Sequence, residues 1–123
     1  MIRSYCLLTK KYSLPQLSYT VKEAVTFINL NLSSNLTVKK VSSKIGLSSD
    51  YLTRLFKKEM GMNIITYINK KRIETSLELL KVTDLSIAEI GDLIGLNNTS
   101  YFYTLFKKET GTSPKQYRNS ILS

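Results

Sequence analysis

The 123-residue sequence has no histidine, no tryptophan and one cysteine, Cys6. The lack of histidine removes the commonest general base and the commonest metal ligand, and one cysteine cannot form a disulfide within the chain. No apolar run approaches the roughly 20 residues that a membrane span needs, and the N-terminal apolar stretch is too short and too polar for a signal peptide. We therefore predict a soluble, cytoplasmic protein that is not an enzyme and binds no metal or cofactor.

Positive charge is in excess, with 18 Lys and Arg against 9 Asp and Glu, a net charge of +9 and a pI near 9.7. Such an excess indicates a polyanionic partner, with nucleic acid first and an anionic membrane surface second. The membrane is disfavoured because the lysines are spread over several predicted helices instead of lying along one face. The apolar fraction of 42% is ordinary for a globular protein.

The sequence contains an internal repeat of about fifty residues. The pentapeptide Leu-Phe-Lys-Lys-Glu occurs at residues 55–59 and again at residues 105–109. The apolar residues upstream of each copy recur at spacings of 3 and 4, which is one face of a short amphipathic helix. The matched residues are Val38, Val41 and Ile45 in the first copy and Ile87, Ile90 and Ile94 in the second.

Each repeat predicts a helix-turn-helix: a helix of about ten residues, a glycine turn and a second helix of about twelve. Ser42 and Gly91 occupy the same place in the first helix, where a small residue allows the two helices to cross closely. Capping residues and stop glycines support the boundaries. The predicted caps are Thr37, Ser48, Ser86 (in a capping box with Glu89), Asn97 or Asn98, and Ser113, with Gly61 and Gly111 as stops.

We predict an all-α fold of about seven helices, in which two helix-turn-helix subdomains are joined by a long connecting helix. The connecting helix should be about 27 Å long, which with its flanking turns nearly matches one turn of DNA. One chain could therefore bind DNA as a monomer. The predicted segments are a linker or appended element over 1–19, a first subdomain over 20–62, the connecting helix over 63–82 and a second subdomain over 83–123.

Several stretches resemble the C-terminal DNA-binding domain of the AraC/XylS family. They are Gly-Leu-Ser-Ser-Asp-Tyr-Leu-Thr-Arg-Leu-Phe-Lys-Lys-Glu-Met-Gly, Tyr-Ile-Asn-Lys-Lys-Arg-Ile, Leu-Ser-Ile-Ala-Glu-Ile-Gly and Ser-Tyr-Phe-Tyr-Thr-Leu-Phe-Lys-Lys-Glu-Thr-Gly-Thr-Ser-Pro-Lys-Gln-Tyr-Arg. The resemblance covers roughly residues 20 to 119 and implies a bacterial transcription regulator, commonly an activator. In this family two recognition helices enter successive major-groove segments of double-stranded DNA.

The sequence departs from the family at two points. Most members carry an additional N-terminal domain that senses an effector, receives a signal or dimerises. This chain is therefore either a small stand-alone member or the C-terminal piece of a longer regulator, which a missing domain could dimerise. The family's second unit also often has arginine where this chain has Thr104, so we expect weak or unusual base reading by the second recognition helix.

The candidate base contacts lie on the outward face of each second helix, where the resemblance also places them. Arg54 is the strongest candidate because a guanidinium can donate two hydrogen bonds to guanine O6 and N7. The leucine and phenylalanine residues on the opposite face match at core spacing, so we predict that they pack the core instead of stacking on bases. The candidates are Ser49, Asp50, Thr53 and Arg54 in the first unit, and Thr99, Ser100, Tyr103 and Thr104 in the second.

The candidate phosphate contacts are lysines late in the second helices and residues at the starts of other helices. They are Thr37, Lys57, Lys58, Ser86, Lys107, Lys108 and Ser113. Residues 36–72 hold nine basic and two acidic side chains, whereas residues 86–123 hold four and three. We therefore expect the first unit to supply most of the DNA affinity.

A second interpretation remains open. The same helices could form a protein-interaction module that docks on RNA polymerase or on another regulator and has only non-specific affinity for DNA. RNA polymerase would also be a partner of a DNA-binding activator, so the two interpretations overlap. An enzyme is the least favoured class because no acid–base pair, activated nucleophile or phosphate loop can be assembled from the sequence.

Overall fold

The computed structural model describes residues 17–122. Our predictions for residues 1–16, including the unpaired Cys6, lie outside this range. The described residues form seven helices and no strand, which confirms the predicted all-α fold. The helices are α1 (Tyr19–Leu30), α2 (Val38–Ile45), α3 (Ser49–Met60), α4 (Ile64–Val82), α5 (Ile87–Leu93), α6 (Thr99–Thr110) and α7 (Pro114–Leu122).

Side-chain caps fix the helix starts, and Ser18 and Asn63 add two caps to those predicted from the sequence. Each capping oxygen accepts a hydrogen bond from the backbone N–H three residues ahead, which satisfies one of the unpaired donors of a first turn. Asn98, and not Asn97, caps α6. Glycines in the left-handed conformation, Gly61 (φ 77°) and Gly111 (φ 86°), end α3 and α6. The caps are Ser18, Thr37, Ser48, Asn63, Ser86, Asn98 and Ser113.

The helices form two lobes, each with its own apolar core. In the first lobe α1, α2 and α3 pack with the N-terminal part of α4. In the second lobe the C-terminal part of α4 packs with α5, α6 and α7. The buried residues of the first core include Val41, Leu52 and Phe56, and those of the second include Ile90, Phe102 and Phe106. The repeated leucine and phenylalanine residues therefore pack the cores, as predicted.

α4 plays two different roles in the repeat. In the first lobe it closes the core after α3, where the rings of Phe56 and Tyr67 meet edge to face at 5.6 Å. In the second lobe α7 closes the core the same way, and Phe106 meets Tyr117 at 6.0 Å. α4 also supports the second lobe as α1 supports the first. The predicted connecting helix is therefore a shared part of both cores and not a spacer.

Small residues allow close helix crossings in both lobes. A Cβ atom at Gly91 would lie 2.7 Å from the carbonyl oxygen of Leu96 and 3.3 Å from the ring of Phe102. In the first lobe, the crossing has room for the side chain of the buried Ser42, whose hydroxyl is 3.0 Å from that of Ser49 on α3. The equivalent crossing in the second lobe is therefore tighter than that in the first.

Candidate DNA-binding surface

α3 carries the first candidate reading face. Its start is fixed by the Ser48 cap and its inner face by buried Leu52 and Phe56. The packing of these residues leaves Asp50, Thr53 and Arg54 exposed together within about one helical turn. These three side chains offer a carboxylate, a hydroxyl with a methyl group, and a guanidinium, all of which can contact base edges.

Ser49 differs from the other candidates on α3. It is only partly exposed, and its hydroxyl is hydrogen bonded to the hydroxyl of Ser42 on α2. This bond joins the two helices of the unit across their crossing. Ser49 therefore has a structural partner already, and a contact with DNA would use its remaining hydrogen-bonding capacity.

α6 carries the equivalent face of the second lobe. Thr99, Ser100 and Thr104 are exposed, and Tyr103 is partly buried. The Thr104 hydroxyl donates a hydrogen bond to the carbonyl of Ser100 at 3.0 Å, so its proton is used within the helix. Thr104 keeps its methyl group and its oxygen lone pairs, which suit apolar contact with thymine better than hydrogen-bond donation.

The candidate phosphate-binding lysines are exposed at the C-terminal ends of the two candidate recognition helices, α3 and α6. Lys57 and Lys58 lie in the last turn of α3, and Lys107 and Lys108 in the last turn of α6. Cations at these positions are favoured by the negative end of the helix dipole. Within residues 17–122, the ion pairs join Lys70 to Glu109 and Lys71 to Glu74, so none of these four lysines is held by one.

The starts of the first helices differ in charge between the lobes. Thr37 caps α2, and Lys39 and Lys40 follow in its first turn. Ser86 caps α5, but Glu89 lies in the first turn and accepts a 2.8 Å hydrogen bond from the Ser86 backbone N–H. That bond lowers the pKa of Glu89, with a smaller contribution from the Ser86 side chain. The start of α2 is therefore more favourable for a phosphate group than the start of α5.

Ser113 combines a capping role with its candidate contact. Its hydroxyl accepts a hydrogen bond from the backbone N–H of Gln116 at 3.1 Å, and its own N–H donates to the Gln116 side chain at 3.2 Å. Pro114 follows without an N–H. This start of α7 therefore has fewer free donors for a phosphate group than a helix usually offers.

The arginines divide into one exposed residue and two structural ones among residues 17–122. Arg72 is 8% exposed and donates to the carbonyls of Leu32 and Ser34. Arg118 donates to three carbonyls at the junction of α4 and α5, those of Leu80, Thr83 and Leu85. Arg54 is the arginine in this range that remains exposed.

Arg72 is one of the nine basic side chains counted over residues 36–72, but its guanidinium binds backbone carbonyls and has a structural role. The periodicity of α4 contains the missing signal, because Ile68, Arg72, Ser76 and Leu80 follow one another at spacings of four and are all buried. A charged residue within such a stripe requires a hydrogen-bonding partner inside the protein. The carbonyl partners, however, come from a loop 38 to 40 residues away and leave no local signal in the sequence.

The chain matches a known protein family. Residues 41–120 match the family described as "Helix-turn-helix domain", which is of the AraC type. The chain belongs to the AraC family of bacterial DNA-binding transcription regulators. The regulatory protein PocR of Salmonella typhimurium is 36% identical over 101 residues, which cover 82% of this chain and 33% of PocR. The chain thus spans about a third of the length of that relative.

Solved structures agree with the AraC-family fold. The C-terminal domain of AraT, a response regulator from Geobacillus stearothermophilus, is 39% identical, with a TM-score of 0.83 over 85% of this chain and 88% of that one. The DNA-binding domain of AdpA, in complex with a target DNA, is 21% identical, with a TM-score of 0.80 over 84% of this chain and 93% of that one. At that identity the second comparison supports the fold alone.

Among residues 17–122, no helix is long and apolar enough to cross a membrane. The same residues contain no group of three or more cysteine, aspartate and glutamate side chains arranged to hold a metal ion.

Proposed function

We propose that this AraC-family chain is a sequence-specific activator of transcription that places α3 and α6 in adjacent major-groove segments of double-stranded DNA. The observation that carries the proposal is the exposed Arg54 guanidinium on the outward face of α3, a helix whose opposite face is buried. A guanidinium can donate two hydrogen bonds to one guanine base. The lobe of α1, α2, α3 and the N-terminal part of α4 would hold one segment of the site, and the lobe of the C-terminal part of α4 with α5, α6 and α7 would hold the other.

One chain would occupy both segments as a monomer. α4 has 19 residues and is therefore about 28 Å long, and successive major-groove faces are about 34 Å apart. The two candidate recognition helices pack on different parts of α4, α3 on its N-terminal part and α6 on its C-terminal part. The expected complex contains one chain per duplex, and it needs no palindromic site.

Activation would require a second partner, RNA polymerase, bound at the same promoter. The chain would meet both partners, double-stranded DNA and RNA polymerase, in the cytoplasm. The names of relatives such as the regulatory protein PocR support a regulatory role in place of an enzymatic one. A module that docks on RNA polymerase or on another regulator, with only non-specific DNA affinity, is the competing outcome of the tests below.

Footprinting of genomic fragments tests the proposal directly. We expect protection of two segments about one helical turn apart, with affinity that falls steeply as salt rises because several phosphates are neutralised. Equal binding to every fragment and to random DNA would contradict sequence-specific recognition and favour the docking module.

Methylation interference identifies the role of Arg54. Methylation of guanine N7 in one protected segment should block the wild-type chain, because it removes an acceptor for the guanidinium. Arg54→Ala should bind more weakly and should lose sensitivity at that guanine alone. Lys58→Ala is the matched control on the same helix: it should keep the interference pattern and lower the salt slope by about one phosphate contact. An unchanged pattern in Arg54→Ala would remove Arg54 from the reading face.

A further inference from the structure

The two lobes touch directly where a loop of the first lobe meets the turn of the second. Gly95, in the turn between α5 and α6, lies against the carbonyl oxygen of Leu32, in the loop between α1 and α2. A Cβ atom at Gly95 would collide with that oxygen and would lie 2.8 Å from Nη2 of Arg72. The backbone of the second helix-turn-helix is therefore pressed against the first lobe.

Arg72 holds this junction from α4. Its Nε donates to the Leu32 carbonyl at 3.3 Å and its Nη2 donates to the Ser34 carbonyl at 2.8 Å. Burial lowers the pKa of Arg72, and the nearby Tyr101 on α6 acts in the opposite direction. The guanidinium stays charged at neutral pH. The Arg72 side chain of α4 thus holds the loop between α1 and α2 against the turn between α5 and α6.

The first lobe provides an internal comparison. Gly46 is the equivalent turn glycine, and its φ of 84° is close to the 82° of Gly95. No atom lies within 4 Å of a Cβ built on Gly46, in contrast to the crowded position at Gly95. Both positions favour glycine because of their backbone conformation. Only Gly95 requires it for close approach as well.

We propose that the junction of Leu32, Arg72 and Gly95 sets the relative orientation of the two reading helices and so determines which spacing between DNA segments the chain accepts. The proposal rests on the proposed function in that both helices bind the same duplex. α5, α6 and α7 all contact α4, and the junction adds a direct contact between the two lobes that resists movement of the second lobe relative to the first. In this role Arg72 is a positioning residue that does not contact DNA.

The first experiment measures the junction without DNA. Spin labels are attached at Thr53→Cys and Thr104→Cys in a Cys6→Ser background, and the distance between them is measured by pulsed electron spin resonance. We expect one narrow distribution in the parent chain. Gly95→Ala and Arg72→Lys should shift or broaden it by a few ångströms, because they obstruct or weaken the junction. Gly46→Ala is the matched control and should leave the distribution unchanged.

Arg72→Lys is included because it should weaken the junction without unfolding the chain. Lysine keeps the positive charge and the aliphatic stem, but its donors share one nitrogen and cannot reproduce the planar fork in which two separate nitrogens reach the Leu32 and Ser34 carbonyls. Helix content from circular dichroism should match the parent in this variant. Distributions for Arg72→Lys and Gly95→Ala that superimpose on those of the parent and Gly46→Ala would overturn the proposal.

The second experiment measures spacing on DNA. The probe is a duplex selected from a random pool by the wild-type chain, together with versions that have one base pair added or removed between the protected segments. Each change rotates one segment by about 35° relative to the other, so wild-type affinity should fall about tenfold or more. Gly95→Ala and Arg72→Lys should flatten this preference, whereas Gly46→Ala should lower affinity equally for all spacings.

The two experiments separate the junction from the proposed function. If the wild-type chain selects no sequence, the proposed function fails, but the label distances still decide whether the junction orients the lobes. If the chain selects a two-segment site and the junction variants keep the wild-type spacing preference, the proposed function stands and the orienting role of the junction is refuted.

Discussion

The carboxylate of Glu59 accepts a hydrogen bond from the backbone N–H of Ser18 at 2.7 Å, which ties the end of α3 to the start of α1. Glu109, at the same position in the repeat, pairs with Lys70 of α4 at 3.4 Å. Because α4 supports the second lobe as α1 supports the first, the two glutamates hold α3 and α6 to their supporting helices. The shared Leu-Phe-Lys-Lys-Glu therefore combines core residues, exposed lysines and a structural link.

The two glutamates should contribute unequally to stability. Glu59→Ala should lower the free energy of unfolding by about 1–2 kcal/mol, because the Ser18 N–H loses its acceptor at a partly buried helix start. Glu109→Ala should lower it by less than about 1 kcal/mol, because the Lys70 side chain of that pair is 45% exposed. Urea denaturation of both variants measures the difference, and a larger loss in Glu109→Ala would contradict it.

The close crossing at Gly91 predicts a second difference between the lobes. Gly91→Ala should lower the free energy of unfolding by about 1–3 kcal/mol, because its Cβ would lie 2.7 Å from a backbone carbonyl that cannot move aside alone. Ser42→Ala at the equivalent position should lose only about 0.5–1.5 kcal/mol, for the hydrogen bonds of its hydroxyl. Thermal unfolding would contradict the prediction if Gly91→Ala proved as stable as the wild-type chain.

The sequence predicts those parts of the fold that repeat and those that are local. Val41 and Ile90, or Phe56 and Phe106, occupy equivalent core positions because the same apolar spacing occurs twice. Helix caps such as Thr37 and Ser86 are predictable because a cap and its partner are three residues apart. The contact of Gly95 with Leu32 is not predictable from the sequence, because it joins residues from different lobes.

The candidate base-contact residues also divide into those whose environment the sequence predicts and those whose environment depends on distant residues. Exposure of Arg54 and Thr53 follows from the apolar stripe on the opposite side of α3. The partial burial of Ser49 cannot be predicted in this way, because its partner Ser42 lies on α2 and the sequence does not give the geometry of the crossing between α2 and α3. Whether a basic side chain contacts DNA or a backbone carbonyl is decided by such long-range contacts.

The capping box of α5 predicts a pH dependence. The hydrogen bonds from Ser86 lower the pKa of Glu89 below its ordinary value of 4.5. A carboxyl whose pKa is lower in the folded state contributes stability above its unfolded pKa and loses it as pH falls through the folded pKa. The stability advantage of the wild-type chain over Glu89→Ala should therefore be full near neutral pH and decline below pH 4.5. Urea titrations at several pH values measure it, and an advantage that grows on acidification would contradict the prediction.

The uneven charge of the lobes predicts unequal losses of DNA affinity. Even without the buried Arg72, residues 36–72 hold eight basic side chains, whereas residues 86–123 hold four, of which Arg118 is bound to carbonyls. Arg54→Ala should weaken binding to a duplex selected by the wild-type chain by about 1–3 kcal/mol, the value of a bidentate base contact. Thr104→Ala should lose less, because its hydroxyl proton is already used by Ser100. Gel shifts at one salt concentration compare the two, and a larger loss in Thr104→Ala would show that the second lobe dominates recognition.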